Sequence, residues 1–355
     1  LSSSSAASDV YKRQVSDQSR PPRIHDVAKL AGVSVATVSR AISNPSIVSE
    51  TTRKAVEAAI AQTGYTLNFT ARNLRQQQVG GVLALVPNLA NPFFSQILSG
   101  ISEVLRRHNL SLLVMDTTAV PDQPAMKVLG PYLTRSRSDG VIVLDGQMEP
   151  GLFARPGCPP LVQACEWIDG LSAPRVLADN VEGGRLAARH LTDLGHRRIL
   201  HLTGPQGSSL TLSRRQGFLQ GLAQAGLPDP GPGDSITGDF TARFGQQMSA
   251  QVLAMPDRPT AVFCDNDEMA IGLMHGLIVA GLRVPQDISV MGFDNIEMAA
   301  YSSPGLTTIR QHRARLGRRA AEVLLARMQG QQVTDSITLG VDLVVRASTG
   351  QAAKT

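Results

Sequence analysis

From residue 80 onward the chain alternates short apolar runs rich in β-branched residues with segments of helical period, and few folds accommodate that grammar. GVLALVP (81–87), LSLLVMD (110–116), GVIVL (140–144), PLVQAC (160–165) and RVLAD (175–179) read as strands, as do RRILHLTG (197–204), TAVFC (260–264), ISVMGF (288–293) and LGVDLVV (339–345). Between them lie the amphipathic stretches 91–108, 182–195, 214–226 and 266–281, which read as helices. Strand and helix in repeated succession imply parallel sheets covered on both faces. The run is long for one doubly wound sheet, so two similar lobes are expected. Right-handed crossovers then bring every loop that follows a strand's carboxyl end to one rim, where ligands collect.

Composition excludes several classes. Hydrophobic residues make up 42% and charged residues 18% of 355, which suits a globular chain with a large core. Three cysteines, Cys158, Cys165 and Cys264, form no CxxC and no disulfide framework, so core thiols in a reducing cytoplasm are expected. No apolar run reaches the roughly 18 residues of a membrane helix. Residues 1–19 are polar and aperiodic, start without Met, and read as a disordered leader consistent with a cloning or translation artefact.

Charge is distributed unevenly. Residues 20–78 carry eight Lys/Arg (Arg20, Arg23, Lys29, Arg40, Arg53, Lys54, Arg72, Arg75) against Asp26, Glu50 and Glu57, a balance of +5 that equals the net charge of the whole chain. A cationic module joined to a neutral body points to a polyanion reader with a second task carried elsewhere. Residues 24–64 read as three short helices: HDVAKLA ending at Gly32, VATVSRAIS capped by Ser34 and closed by Asn44 and Pro45, and SETTRKAVEAAIAQTG ending at Gly64. Two helices joined by a short Gly-containing turn form a helix-turn-helix pattern, which three-helix protein-interaction modules share. Small Val35, Ala36 and Thr37 at the start of the second helix let its backbone approach base edges. Arg40 lies one turn beyond Ala36 and suits guanine. Ser34, Thr37 and Ser39 supply hydroxyls for phosphates, beside the positive end of the helix dipole.

The stretch IHDVAKLAGVSVATVSRAISNPSIVSETTRKAVEAAIAQTGY resembles the DNA-binding headpiece of the LacI/GalR repressor family. The resemblance continues through ARNLR, NPFFSQI, DGVIVL, DNVEGGRLAARHL, GHRRI, GDF, RPTAVFCDND, VPQDISVMGFDN and LTTI, covering nearly all of residues 24–349. NPFFSQI, GDFT and PTAVFC are most similar to the cytidine- and purine-sensing members. The resemblance implies a helix-turn-helix domain (20–65), a hinge helix (66–78) and a type I periplasmic-binding-protein-like body (79–355). In that body two Rossmann-like lobes are joined by three crossovers: 79–179 with about 311–341, and 180–310 with about 342–350.

Matched position by position, Val35, Ala36 and Arg40 fall on the family's base-contacting sites. Asn68 and Ala71 fall in the hinge, and Leu74 matches the leucine that wedges between base pairs; an ordinary buried leucine is the alternative there. Leu67 stands where the family usually has Pro, which loosens the restriction on the hinge start.

In the body, candidate effector residues come from loops at strand ends: Phe93, Phe94, Glu166, Trp167, Arg214, Phe240, Asn266 and Asp294. Carboxylates accept from vicinal hydroxyls, Arg donates and rings cover an apolar face, so a hydroxyl-rich sugar or nucleoside is indicated. Ser208 and Leu210 replace an Arg and a Thr of purine-sensing relatives and argue against a guanine or hypoxanthine ligand. Phe94 also suits the core, Trp167 suits packing between lobes, and Asn266, Asp267 and Glu268 suit a helix start.

No GxSxG, HExxH or GxxxxGK[ST] is present, and no transition-metal ligand set is expected. The expectation is a cytoplasmic repressor without cofactor, a homodimer or dimer of dimers on double-stranded operator DNA, set by a small effector. A regulator governed by a protein corepressor is the alternative, and a sugar- or nucleoside-processing enzyme a remote one.

Overall fold

The computed structural model describes residues 20–66, 78–117, 125–228, 231, 234–333 and 335–352. The leader 1–19 and the hinge candidates Asn68, Ala71 and Leu74 lie outside the described residues. The chain divides into two compact units, 1–75 and 76–355.

In the first unit, helices α1 (Ile24–Ala31), α2 (Val35–Ser43) and α3 (Glu50–Thr63) pack around Val27, Ala28, Val38, Ala41, Val56 and Ala59. Gly32 and Gly64 end α1 and α3 in the left-handed conformation, at φ 67° and 66°, which glycine adopts without steric cost. Ser34 and Ser49 cap α2 and α3 by accepting from the amides of Thr37 (3.1 Å) and Thr52 (3.3 Å). The apolar period of α2 suggests Val35 as part of the buried stripe. Instead Val35 is exposed and Val38 with Ala41 face inward, because three small helices bury only a narrow strip of each partner.

The second unit holds two six-stranded sheets. The first contains β1 (Gly81–Val86), β2 (Ser111–Asp116), β3 (Gly140–Val143), β4 (Leu161–Ala164), β5 (Arg175–Ala178) and β11 (Ile337–Leu339), in the order β11-β5-β4-β3-β1-β2, every pair parallel. The second contains β6 (Ile199–Thr203), β7 (Ser235–Thr237), β8 (Ala261–Cys264), β9 (Ser289–Asp294), β10 (Thr307–Gln311) and β12 (Val341–Val344), in the order β12-β10-β9-β8-β6-β7. Its edge strand β12 runs antiparallel to β10, so this sheet is mixed rather than wholly parallel. β7 and β10 carry no long apolar run and escape a reading by hydrophobic pattern. LGVDLVV reads as one strand but is divided at Gly340: β11 belongs to the first sheet and β12 to the second.

Helices α4 (Phe93–Arg107), α5 (Ala125–Leu129) and α11 (Arg313–Met328) go with the first sheet. Helices α6 (Asn180–Asp193), α7 (Ser209–Gln224), α8 (Ala242–Ala254), α9 (Asp267–Val279) and α10 (Glu297–Tyr301) go with the second. The chain changes lobe three times, and each time a single residue separates the flanking elements: Asp179 between β5 and α6, His312 between β10 and α11, and Gly340 between β11 and β12. Asp342 draws two of these crossings together, reaching Arg310 at 2.7 Å and His312 at 3.1 Å.

Close helix packing sets where the cleft side chains stand. A Cβ on Gly184 of α6 would strike the Arg214 carbonyl of α7, and one on Gly217 would strike the Val181 carbonyl of α6. This reciprocal pair lets α7 lie against α6 at backbone contact and fixes the height at which Arg214 emerges.

Candidate functional site: a DNA-reading helix and a cleft between lobes

On the headpiece, Ser34, Val35, Ala36 and Arg40 are exposed along one side of α2, with Thr37 and Ser39 half-buried beside them. Arg53 and Lys54 of α3 pair with Glu57 (3.7 Å) and Glu50 (2.9 Å), whereas Arg40 has no ion-pair partner among the described residues. Arg20, Arg23 and Lys29 likewise form no ion pair among the described residues, so Arg40 of α2 is one of several cations free to meet phosphate, and the one that stands beside the small residues at the start of α2. The Ser34 and Thr37 hydroxyls bond each other at 2.9 Å, so one of their two protons is already committed to the cap.

In the body, strand ends from both lobes meet around a cavity of about 40 Å³ lined by Asn91, Phe93, Phe94, Cys165 and Glu166 from one lobe and Leu210, Arg214, Phe240, Asn266 and Asp294 from the other. Trp167 lies outside this lining. Its indole N–H donates to Asp169 at 3.1 Å and its ring lies under Arg175 at 5.5 Å, while its amide donates to Ser209 at 3.4 Å. Asn91 and Cys165 are not among the candidates read from the sequence, and Leu210 enters there only as a replacement for a residue of purine-sensing relatives. Cys165 follows β4 directly, so the rim argument extended by a residue reaches it; Leu210 sits inside α7, one turn before Arg214 and beyond the strand-end loop.

Arg214 anchors the cleft. It lies in the second turn of α7 rather than opening a helix, because Ser208 starts that helix earlier by accepting from the Leu210 amide at 3.2 Å. Only 1% exposed, Arg214 stacks on Phe293 at 3.9 Å, donates through Nε to Asn180 at 3.0 Å, and donates through Nη1 to the Asp265 carbonyl. Asp265 is itself fixed, its carboxylate taking His201 at 2.8 Å and the Gly204 amide at 2.8 Å. The TGPQG loop thus braces the cleft: Gly204 has no side chain because the Phe240 ring and Thr211 hydroxyl occupy that space.

Cys165 (φ 69°), Phe240 (φ 64°) and Asp294 (φ 118°) line the cavity in conformations that side chains rarely adopt. Such strain costs on the order of 1–3 kcal/mol per residue and gathers at binding sites. Asn266 caps α9 through its Oδ1, which accepts from Met269 at 3.0 Å, and donates through Nδ2 to the Phe240 carbonyl at 2.9 Å. One amide proton remains for a ligand. Asp267 points away from the cleft, accepting from Ile296 at 2.8 Å and Thr308 at 2.5 Å.

Burial raises both cleft carboxyls. Asp294 is pushed up to about 6 by desolvation, against the pull of Arg214 and Arg313 and a 2.7 Å bond from Gln311. Glu166 is pushed up to about 7 by desolvation and by Asp145, against a 3.1 Å bond from the Gly146 amide and the charge of Arg214. A carboxylate that burial has deprived of water gains from the hydroxyl donors of a ligand, which restore hydrogen bonds to the charged form. Among the described residues no three His, Cys, Asp or Glu side chains are placed to hold a metal ion, and no helix is long and apolar enough to cross a membrane.

A helix-turn-helix unit with an exposed cation on its second helix, carried on the same chain as a two-lobed α/β body with a cleft between the lobes, is the architecture of a DNA-binding transcriptional regulator controlled by a small molecule. Residues 23–68 match the model of the bacterial regulatory proteins of the lacI family, and residues 188–349 match that of the periplasmic binding protein-like domain. The HTH-type transcriptional repressor CytR of Escherichia coli K12 is 37% identical over 91% of this chain and 95% of its own length. Among solved structures, the lac repressor dimer bound to operator and the anti-inducer ONPF superposes with a TM-score of 0.80 at 33% identity, over 93% of this chain and all of that one. The transcriptional regulator CelR in complex with cellobiose gives 0.71 at 30% identity, over 92% and 99%. The chain belongs to the LacI family of bacterial regulatory proteins.

Proposed function

We propose that this protein is a cytoplasmic repressor that binds a near-palindromic operator as a homodimer and responds to a nucleoside or sugar held between its lobes. The observation that carries the reading is the shared cleft. Phe93, Phe94 and Glu166 come from one lobe and Arg214, Phe240, Asn266 and Asp294 from the other, so one ligand touches both and fixes their relative angle. The cavity is far below the roughly 300 Å³ of small ligand pockets, so the lobes part to admit the ligand. Arg214 and Asp294 bind vicinal hydroxyls, Glu166 accepts a further one, and Phe93, Phe94 and Phe240 cover the apolar face of the ligand. The CelR–cellobiose complex supports a hydroxyl-rich ligand, and the lac repressor dimer on its operator supports two-fold assembly.

On DNA, Val35 and Ala36 make methyl contacts and Arg40 reads guanine, with Ser34, Thr37 and Ser39 on phosphates. Asn68 and Ala71 belong to a hinge helix, and Leu74 wedges into the minor groove. Because coupling is reciprocal, operator and effector change one another's affinity by the same factor. The ligand leaves unchanged; no reaction is catalysed.

A thermal-shift screen of the full chain against cytidine, adenosine, ribose and cellobiose tests the reading. A concentration-dependent rise in Tm that Asp294→Ala removes is the expected result. A rise that survives in that variant would place the ligand elsewhere, and no rise with any compound of these classes would reject the ligand class.

A further inference from the structure

A second concavity lies at the opposite end of the first sheet from the effector cleft. It is a groove of about 1060 Å³ at the amino ends of β4, β5 and β11, walled by residues within 150–161 and 170–175 and by residues 330–333 and 336. Arg135, Arg155, Arg175 and Arg327 line it, and among the described residues no carboxylate does. This is unusual for the body, where Arg107, Arg185, Arg283 and Arg319 each pair with a Glu or Asp three or four residues away. Among the described residues, Arg135, Arg175 and Arg327 have no ion pair; Arg175 covers the Trp167 ring and Arg327 reaches the Val333 carbonyl at 3.5 Å. Three like charges lining one groove, with no counter-charge among its described lining, repel one another, and an anion relieves the repulsion.

The floor and rim fit a particular kind of anion. Phe153, Leu161 and Leu171 supply an apolar floor and Pro159 and Pro160 a stiff wall, while Ser172, Gln331 and Gln332 offer hydrogen bonds. The volume lies at the upper end of small-ligand sites. Cys158 also lines the groove; burial raises its thiol pKa, while Arg155 and Arg135 pull it the other way, which places both guanidinium groups within electrostatic reach of one atom.

We propose that this groove is a second ligand site that binds a phosphorylated metabolite carrying two or more phosphates, a nucleoside polyphosphate being the class that uses both the cationic rim and the apolar floor. Arg135, Arg175 and Arg327 take the phosphates. The floor takes the base.

Cys158 makes the test local. The other two thiols, Cys165 and Cys264, are 3% and 0% exposed, so neutral iodoacetamide reports on Cys158 alone. The full chain is alkylated in sodium tripolyphosphate, in ADP, or in sulfate at equal ionic strength. The expected result is a saturable slowing by tripolyphosphate and ADP of about tenfold, with little change in sulfate, because the occupied groove covers the sulfur. The effect should vanish in Arg135→Glu/Arg327→Glu and persist in Arg135→Lys/Arg327→Lys. An unchanged rate, an equal effect of sulfate, or protection that survives the double Glu variant would each overturn the site. Protection that depends on Arg135 and Arg327 is thereby separated from any effect of phosphates gathered by the basic headpiece.

Discussion

Arg214 and Asp294 face each other in the cleft at 3.7 Å, near enough to attract and too far to hydrogen-bond. Each is held from behind, Arg214 by Asn180, the Asp265 carbonyl and Phe293, and Asp294 by Gln311. The pair therefore keeps donor and acceptor capacity for a ligand instead of spending it internally. Asp294→Ala removes a charged acceptor, and effector affinity should fall roughly 10- to 100-fold, from about 1.5–3 kcal/mol for a charged hydrogen bond. Operator binding without effector should remain. Paired titrations of effector and of labelled operator check this, and an unaltered effector isotherm would count against the cleft.

Effector affinity should depend on pH with a definite sign. Hydroxyl donors select the ionised carboxylates, and Asp294 and Glu166 ionise only near pH 6 and 7. Affinity should therefore rise as pH increases through about 6 to 7 and level off above, with protons released on binding. Calorimetry in buffers of different ionisation enthalpy measures that release; proton uptake on binding would reverse the assignment.

Stability should move the other way. The folded-state pKa of Glu166, about 7, exceeds its ordinary value of 4.5, so its contribution is fully present below pH 4.5 and is lost as pH rises through 7. Half-buried His190 and buried His196, whose pKa values are lowered by desolvation, contribute in the opposite direction. Comparing Glu166→Gln with the parent cancels the histidines: the variant should gain in relative Tm between pH 5 and pH 7. A constant difference across that range would show that Glu166 does not titrate there.

Gly217→Ala should be costly for one methyl group. The added Cβ meets the Val181 carbonyl and forces α7 away from α6, and overpacking of this kind costs about 1–3 kcal/mol. Arg214 lies one turn earlier on α7, so effector binding should weaken along with Tm. Gly226→Ala is the control for a glycine beyond the end of that helix; its φ of 70° makes the alanine strained, yet no atom is crowded and Arg214 is not displaced. Loss of effector affinity in both variants would show that helix contact is not the cause.

Arg40→Ala should lower discrimination between operator and random duplex by about 1–3 kcal/mol, the worth of one bidentate base contact. Lys54→Ala, already neutralised by Glu50, should change little. Competition binding at two salt concentrations separates the effects. Equal losses for operator and random DNA would reduce Arg40 to a phosphate contact.

Much of this protein is local and therefore legible in its sequence. Capping by Ser34 and Ser49, termination at Gly32 and Gly64, and β-branched runs between amphipathic helices depend on residues a few positions apart, so the headpiece and the alternation of the body can be read directly. The cationic segment is likewise a matter of counting. The rim argument reached Phe93, Phe94, Glu166, Asn266 and Asp294 because position after a strand end is itself a sequence property, whereas Phe240 follows β7, a strand without an apolar run, and Arg214 lies inside α7, so both came from the family resemblance.

What tertiary structure alone decided depends on residues far apart. Trp167 turns out of the cleft to lie under Arg175, whereas Cys165, two positions earlier, lines it, and no local pattern distinguishes them. LGVDLVV looks like one strand because its apolar period is unbroken; only the demand of two separate sheets for an edge strand divides it at Gly340. The carboxyls of Glu166 and Asp294 are raised by the bulk that closes over them, and the unmatched arginines at 135, 175 and 327 meet only when three distant segments fold side by side. Burial and electrostatic environment are sums over neighbours in space, and sequence order fixes those neighbours only through the completed fold.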